Sequence, residues 1–264
     1  MYLCNMQQEG NSVRINKFIG DSGFCSRRQA DALIESGKVT LNGKVAVLGD
    51  QVFQGDEVLV EGKLITPAKN EVYIAFNKPV GITCTGDSRV KDNVIDFINH
   101  EERIFYIGRL DKPSEGLLLL TNDGDIVNKI LRSGNEHEKE YIVKVDRPIQ
   151  RQFLERMRNG VPVLDTITKK CEVEQVSRFV FRIILTQGLN RQIRRMCEYL
   201  GYEVVSLKRI RIMQIELGNL AIGEWRNLTS EELKLLKHTL KHSTNESFET
   251  SQGPKRRRRG RTKK

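Results

Sequence analysis

The side chain in this sequence best placed to do chemistry is the carboxylate of Asp111. It follows the apolar run Ile104–Ile107 and precedes uninterrupted leucines at 117–120, with Pro113 and Gly116 between it and those leucines. Short apolar runs bounded by glycine and proline predict buried strands, so we expect Asp111 on a loop between two strands. A rigid sheet usually presents its reactive groups on such loops, and a carboxylate there can act as a nucleophile or a proton-transfer group. The alternative is that an aspartate beside proline and glycine only forms a turn.

Two further residues could act together with such a carboxylate. Tyr141 opens an alternating strand shortly after Lys139, and Arg194 lies in a helix predicted over Arg191–Leu200 with Asn190 as its cap. A tyrosine offers a flat face for stacking, and a guanidinium pairs with a carboxylate and does not lose its proton. Taken singly, the tyrosine would be interpreted as a core residue and the arginine as a charge on a helix surface.

The region after this helix predicts the elements that close the fold. Strands are expected around Val204–Leu207 and Arg211–Glu216, and a last helix over Ser230–Leu240. Trp225, the single tryptophan, is predicted to anchor the core.

The three segments that contain these residues resemble the motifs of one enzyme family. IGRLDKPSEGLLLLTNDG at 107–124 resembles the central motif of the pseudouridine synthases, KEY at 139–141 resembles their K-x-Y motif, and NRQIRR at 190–195 resembles their arginine motif. Within the family the chain is similar to the branch that modifies ribosomal RNA and carries a small N-terminal RNA-binding domain. Stretches such as GLNRQIRRMCEYLGYEV look most like the bacterial large-subunit enzyme of the F type.

The resemblance implies that uridine in RNA is isomerised to pseudouridine: the C1′–N1 bond breaks, the base turns, and C1′ bonds to C5. It implies that Asp111 acts at the anomeric carbon, that Tyr141 stacks on the uracil, and that Arg194 pairs bidentately with the carboxylate. Whether the carboxylate attacks C1′ or promotes a glycal-like route stays open. Because no oxidation state changes, we expect no cofactor and no metal, and the five cysteines and four histidines lack the spacing of a zinc site.

Basic residues near these motifs are candidates for holding the phosphates of a nucleotide that has left its stack. These candidates are Arg109, Arg191 and Arg195. Lys78 belongs to the segment NKPVG, which resembles the first motif of the family, and the resemblance implies a structural role for this segment with Lys78 near the backbone of the RNA. For Arg109 the alternative is a structural ion pair.

The N-terminal part of the chain predicts a second, smaller unit. A helix is expected from Val13, a second helix begins at Ser26 with Gln29 at the capping-box position, and Asn42-Gly43 predicts a hairpin. This pattern resembles the alpha-L RNA-binding module, the S-four type of a small-subunit ribosomal protein. The resemblance implies phosphate contacts, with a solvated rim as the alternative, for Arg14, Lys17, Arg27, Arg28 and Lys44.

The charge of the chain favours a polyanion as partner. The net charge is +10, and eight of the positive charges lie in Lys255–Lys264, so the remaining residues have a net charge of +2. Basic residues of the folded part must therefore be concentrated in patches. The first residues lack the features of a signal peptide and no apolar run reaches the length of a membrane span, so we expect a cytoplasmic protein with reduced thiols.

We therefore predict an α+β protein with a small N-terminal alpha-L RNA-binding domain and a pseudouridine synthase domain, whose mixed, mostly antiparallel sheet is flanked by helices. The predicted divisions are a flexible leader at 1–12, the alpha-L domain at 13–61, a linker at 62–70, the catalytic domain at 71–241 and a disordered basic tail at 242–264. The expected substrate is 23S ribosomal RNA near the peptidyl-transferase centre, or its assembly intermediate, with tRNA as a second target for a monomeric enzyme. The alternative is a non-catalytic RNA-binding ribosome-assembly factor on the same fold.

Overall fold

A computed structural model describes residues 12–66, 70–241 and 243 of the chain. These residues form two units, each built from both helices and strands. The predicted leader and the predicted basic tail lie outside the described residues, apart from Ser12 and Ser243.

The first unit combines two helices with short strands. The four-stranded sheet has the order β3-β2-β5-β6, and β1 pairs with β4 in a separate two-stranded ribbon. The elements are β1 Val13–Arg14, α1 Ile15–Asp21, α2 Arg27–Glu35, β2 Val39–Leu41, β3 Lys44–Val45, β4 Gln51–Val52, β5 Val58–Val60 and β6 Lys63–Leu64.

Local sequence signals explain much of this unit. The Ser26 side chain accepts a hydrogen bond from the Gln29 backbone amide, and the Gln29 side chain accepts one from the Ser26 amide, so the predicted capping box is confirmed. Asn42 and Gly43 have φ values of 50° and 77°, which is the left-handed backbone that a tight hairpin turn requires. The two helices and the strands enclose one apolar core.

Two predictions for this unit are wrong. Val13 does not begin a helix: it pairs with Val52 in an antiparallel ribbon, and the helix starts two residues later. The unit does not end at residue 61, because β6 pairs with β5 and Ile65 is buried in the core. The chain turns back after β5, and β6 forms backbone hydrogen bonds with it that the pattern of apolar residues did not predict.

The second unit is built on a nine-stranded sheet. Its main order is β13-β14-β10-β15-β9-β7-β17, with β16 paired to β15 and β8 paired to β9. All pairs are antiparallel except β15 with β9, which confirms the predicted mixed, mostly antiparallel sheet. The strands are β7 Tyr73–Lys78, β8 Phe105–Ile107, β9 Glu115–Thr121, β10 Lys139–Val145, β13 Glu172–Ser177, β14 Val180–Leu185, β15 Val204–Ile212, β16 Ile215–Glu216 and β17 Trp225–Asn227.

Helices cover both faces of this sheet. The helices are α3 Val94–Ile98, α4 Gly124–Leu131, α5 Arg151–Asn159, α6 Gln192–Tyr199 and α7 Ser230–Leu240, and a separate hairpin joins β11 Pro162–Val163 to β12 Thr166–Ile167. Within the described residues, no helix has the length and apolar content needed to span a membrane.

The leucine run shows why the sheet needs cover on both faces. Leu117 and Leu119 pack in the cluster that includes α4 and α7, whereas Leu118 and Leu120 pack in the cluster that includes α3. Successive strand residues point to opposite faces, so an uninterrupted apolar run belongs to a strand buried on both sides. Both predicted strands flank Asp111: β9 is buried, whereas β8 is half-buried except at Ile107.

Three further predictions for this unit are wrong in detail. The strand expected over Val204–Leu207 continues through residue 212, because β10 pairs along its whole length. Trp225 is 39% exposed on the edge strand β17, where its ring lies 5.6 Å from that of His100, and it is not a core anchor. The helix expected from Arg191 begins at Gln192, since Arg191 has a φ of 50°.

Candidate active site

Asp111 lies on the loop between β8 and β9, at the edge of a cavity of about 850 Å³. This volume is within the range that ligand pockets usually have. The side chain of Asp111 is 35% exposed, and its carboxylate accepts no hydrogen bond from another described residue. The cavity thus contains a carboxylate that is accessible to a substrate.

Several donors hold the backbone of this loop. The buried ammonium of Lys78 donates to the carbonyls of Ser114 and Pro79, at 2.8 Å in each case. The amide of Gly81 donates to the carbonyl of Lys112 at 2.9 Å. These contacts hold the backbone that directly follows Asp111, at Lys112 and Ser114.

Lys78 is not placed to contact the backbone of the RNA, as was predicted for it. Its side chain is fully buried under the loop and both of its hydrogen bonds go to carbonyls, which is consistent with the structural role predicted for its segment. Burial lowers the pKa of Lys78, and the negative charge of Asp111 opposes that effect. Lys78 is a positioning residue for the loop and does not line the cavity.

Arg194 on α6 approaches the same loop from the other side. Its Nη2 atom donates to the carbonyl of Pro113 at 3.0 Å and to Oγ of Ser114 at 3.2 Å, and its Nη1 atom donates to the carbonyl of Val204. Only Nε faces the Asp111 carboxylate, at 4.0 Å. The predicted bidentate pair is therefore not formed, because the loop carbonyl and a strand carbonyl occupy both terminal nitrogens.

A second arginine faces the carboxylate. Arg191 Nη1 lies 3.8 Å from Oδ2 of Asp111, and the left-handed backbone of Arg191 turns the chain into α6 at this point. Burial lowers the pKa of Arg194, and the charge of Arg191 adds to that effect while the charge of Asp111 opposes it. Both guanidinium groups lie within 4.0 Å of the carboxylate without a hydrogen bond to it. Such long distances between catalytic groups are common in the absence of substrate and shorten when substrate binds.

The floor of the cavity is one face of the large sheet, and we call it the pocket floor. Residues two apart on a strand share a face, which brings side chains of three neighbouring strands together. The pocket floor consists of Lys139, Tyr141, Leu185, Leu207 and Arg209.

Tyr141 is the predicted member of this set. It is half-buried, packs against the apolar clusters on both sides of it, and pairs in register with Arg209 of β15. Its hydroxyl makes no hydrogen bond to another described residue. Its ring is therefore fixed in the cavity while its polar end is available to a ligand.

Lys139 and Arg209 were not among the predicted site residues. Lys139 is 8% exposed and donates to the carbonyl of His137 at 2.8 Å, and Arg209 is 3% exposed and donates through Nε to the carbonyl of Leu117 at 2.7 Å. Burial, together with the charge of Arg209, lowers the pKa of Lys139 to about 8. The strand periodicity could have indicated both residues. Lys139 is two residues from Tyr141 on one strand, and Arg209 is two residues from Leu207 on another, so each lies on the same sheet face as a residue that lines the cavity.

Gly116 explains how Arg209 reaches this position. β9 and β15 run parallel, with Arg209 opposite Gly116, and a Cβ atom added to Gly116 would lie 2.2 Å from the carbonyl oxygen of Arg209. The φ of Gly116 is 104°, a conformation that side-chain-bearing residues rarely adopt. The glycine in the Asp111 segment therefore permits the close approach of the strand that carries Arg209.

The remaining predicted arginines of the site separate into two groups. Arg109 is exposed and lines the cavity, and it has no ion-pair partner among residues 12–66 and 70–241, so the structural ion pair considered for it is not formed. Arg195 does not line the cavity, because its guanidinium donates to the carbonyl and the side chain of Asn190.

The basic residues predicted in the N-terminal unit also separate. Arg14, Lys17 and Arg27 line a second cavity of about 520 Å³, which Asp125 of α4 also lines. Lys17 forms ion pairs with Asp21 at 2.6 Å and with Asp125 at 3.0 Å. Arg28 and Lys44 are exposed elsewhere on the unit.

Polar contacts between described residues join the N-terminal unit to the sheet unit. One is the ion pair between Lys17 of α1 and Asp125 of α4. Another is a hydrogen bond of 2.9 Å from Arg103 to the carbonyl of Cys25. We call the four charged residues at the first contact the interdomain cluster: they are Lys17, Asp21, Arg27 and Asp125.

The described part of the chain offers no evident metal site. No group of three or more histidine, cysteine, aspartate or glutamate side chains is arranged to hold an ion there. Cys25, Cys84, Cys171 and Cys197 are free thiols, and Cys84 accepts a weak hydrogen bond from the Leu110 amide behind the loop.

Comparison with known proteins agrees with this arrangement. Residues 72–199 match the family model of the RNA pseudouridylate synthases, and residues 13–58 match that of the S4 domain. The dual-specificity RNA pseudouridine synthase RluF of Escherichia coli K12 is 58% identical over 238 residues, which cover 89% of this chain and 82% of that protein. The ribosomal large subunit pseudouridine synthase B of Bacillus subtilis is 36% identical over 88% of this chain and 98% of that protein.

A solved structure supports the same conclusion at the level of the fold. A crystal structure of a pseudouridylate synthase superposes with a TM-score of 0.63 and 30% sequence identity, covering 85% of this chain and all of that one. The predicted resemblance, including its similarity to the F-type enzyme, is therefore confirmed. This chain belongs to the RNA pseudouridylate synthase family and is an RNA pseudouridine synthase with an N-terminal S4 domain.

Proposed function

We infer that Asp111, Tyr141 and Arg194 carry the isomerisation of uridine. The observation that carries this proposal is the position of Asp111, which is exposed to the cavity on a loop whose carbonyls are held by Lys78 and Arg194. A carboxylate beside C1′ is what glycosidic bond cleavage requires, in either of the two routes open to it.

The residues around Asp111 have distinct tasks in this proposal. Arg191 and Arg194 place positive charge within 4.0 Å of the carboxylate, which compensates its negative charge while a base excludes water from it. Tyr141 stacks against the uracil and turns its hydroxyl toward the sugar. Arg109 and Arg191, exposed at the rim, hold phosphates of the flipped nucleotide. Arg195 acts indirectly by ordering the segment before α6.

The RNA target is proposed from the relatives. The E. coli relative is named as a dual-specificity enzyme and the B. subtilis relative as an enzyme of the large ribosomal subunit. We propose 23S ribosomal RNA as the main substrate and tRNA as a second one, acted on by a monomer in the cytoplasm. The S4 domain, extending to residue 65, holds the RNA beside the cavity, and the basic residues of 255–264 add non-specific affinity.

The test is pseudouridine mapping of 23S ribosomal RNA and tRNA after incubation with wild-type protein and with Asp111→Asn. The wild type should form pseudouridine at a defined site, and the variant should be slower by at least about a thousandfold, because an amide cannot act as a nucleophile or proton acceptor. Asp165→Asn, an exposed acid in the turn between β11 and β12, is the matched control and should retain activity.

Each contrary outcome has a specific meaning. Product formed by Asp111→Asn at the wild-type rate would remove Asp111 from the mechanism. Unchanged RNA binding without product from either protein on both RNAs would favour the ribosome-assembly alternative over the proposed substrates.

A further inference from the structure

The buried basic residues in the described part of this protein all lie near one cavity. Among the described lysines and arginines, Lys78, Lys139 and Arg209 are the buried ones. Lys78 lies under the Asp111 loop, and the other two belong to the pocket floor. None of the three forms an ion pair with an acidic side chain within 4.0 Å in the part of the chain that the structure describes.

Such an arrangement is unusual because a buried charge normally has a partner of opposite sign. Taking a cation out of water is costly unless an anion or several hydrogen bonds compensate it. Lys139 has one hydrogen bond, to a carbonyl. The Nη2 atom of Arg209 is sealed from solvent and has no hydrogen-bond partner among the described residues. The pocket floor is thus short of negative charge.

Neighbouring residues hold the two cations of the pocket floor close to each other. Arg209 is held in place by the Leu117 carbonyl and by the close backbone contact at Gly116. Its charge, second to burial, lowers the pKa of Lys139, which means that the two cations act on each other. Two cations that repel each other and are fixed on one face of the sheet would stabilise a negative charge in the cavity.

The position of the two cations indicates which anion this is. Arg109 and Arg191 have exposed guanidinium groups at the rim of the cavity, where the proposed function places the RNA phosphates. The pocket floor lies deeper, beside the ring of Tyr141, where the base of a flipped nucleotide would sit. A neutral uracil carries no charge, but it becomes an anion when the C1′–N1 bond breaks and the electron pair of that bond stays on the base.

We propose that Lys139 and Arg209 form a cationic floor that stabilises the uracil anion between its detachment from C1′ and its reattachment through C5. The C1′–N1 bond breaks with its electron pair going to the base, Asp111 compensates the electron-poor sugar, and an electron pair of the base then forms the C5–C1′ bond. The proton lost from C5 and the proton gained at N1 balance, so no further reactant is consumed. This inference rests on the proposed role of Asp111.

The test compares single-turnover rates on two RNAs transcribed from one 23S ribosomal RNA template. One contains uridine and the other contains 5-fluorouridine, whose electron-withdrawing fluorine makes the detached base an intrinsically more stable anion. The assay follows disappearance of the target nucleoside. The variants are Arg209→Met, Arg209→Lys and Lys139→Met in the full-length chain. Lys208→Met is the matched control, because Lys208 precedes Arg209 on β15 and does not line the cavity.

We expect Arg209→Met and Lys139→Met to lower the rate on uridine RNA by about tenfold to a hundredfold, with the RNA Kd within twofold of the wild-type value. The loss should be at least threefold smaller on 5-fluorouridine RNA, since that base needs less help, and Arg209→Lys should regain part of the rate. Lys208→Met should match the wild type. A merely structural role predicts equal losses on both RNAs.

Three results would overturn the proposal. One is an equal loss on the two RNAs by variants that unfold at a temperature no lower than that of the wild type. Another is a higher Kd with an unchanged rate, which would make the pocket floor a phosphate site. The third is wild-type behaviour of both Met variants. If Arg209→Met does not fold, Lys139→Met decides alone. Absence of product from the wild type would instead contradict the proposed substrate, and this is visible before any variant is compared.

Discussion

Lysine and arginine side chains gather at two places in this protein, and the two places treat the same positive charge in opposite ways. In the interdomain cluster, Lys17 and Arg27 are paired with Asp21 and Asp125, and all four side chains are at least 25% exposed. On the pocket floor the cations are buried and lack acidic partners within 4.0 Å among the described residues.

The two arrangements are suited to different ligands. Exposed cations that are paired with acids can exchange those acids for phosphates at little cost, because each pair contributes about 1 kcal/mol or less. Buried cations without acidic partners have an unfavourable electrostatic energy, and a negative charge that enters the cavity lowers it. The interdomain cluster is suited to reversible binding of an RNA backbone, and the pocket floor is suited to chemistry that creates an anion.

The largest effect should come from breaking the strand contact that carries the pocket floor. Gly116→Ala places a Cβ atom 2.2 Å from the Arg209 carbonyl at a φ of 104°, so β9 and β15 must separate. We expect a loss of about 3 kcal/mol or more in the free energy of unfolding, measured by urea denaturation. The control is Gly86→Ala, since that glycine is exposed with open space around its Cβ position. Equal destabilisation by both changes would refute the contact.

A feature of the fold or of the site could be predicted when the residues that determine it are close together in the sequence. The Asp111 loop was predictable because its two strands and their glycine and proline punctuation are local features. The same holds for the capping box of Ser26 and for the last helix, which spans the predicted Ser230–Leu240.

Environments set by distant strands were not predictable. Lys78 ends a strand and could equally have turned outward, but a loop 36 residues away supplies the carbonyl that keeps it buried. Arg209 was missed because its strand was divided in two, and the residues of β10 that pair with it and make it continuous are 59 to 73 residues away in sequence. The partners of Arg194 are loop and strand carbonyls, which a motif of residue types does not specify.

An intermediate effect, of opposite sign, is expected from removing a charge on the pocket floor. The pKa of Lys139 is about 8 in the folded protein and about 10.5 in the unfolded chain, so below pH 8 both states are charged and folding carries the full desolvation cost. Lys139→Met should therefore raise the free energy of unfolding at pH 7 by roughly 1–3 kcal/mol. Between pH 8 and 10.5 the native wild type releases its proton first and gains stability, so the difference between the two proteins should shrink. Urea titrations at pH 7 and at pH 10 measure this, and a difference independent of pH would contradict the buried-cation interpretation.

The smallest effect is expected at the interdomain cluster, where the charges are already solvated. Asp125→Ala removes one of the two acids that hold Lys17, leaving that ammonium to an RNA phosphate. We expect RNA affinity to rise by up to about fivefold at low salt and the gain to fade above about 0.1 M salt, as screening removes the interaction. Asp165→Ala changes the net charge equally at an exposed turn outside the cluster, so an identical gain from that control would assign the effect to overall charge. A gain confined to Asp125→Ala would show that Lys17 can exchange its ion pair with Asp125 for a contact with an RNA phosphate. The cations of the pocket floor cannot make such an exchange, because they have no acidic partner among the described residues.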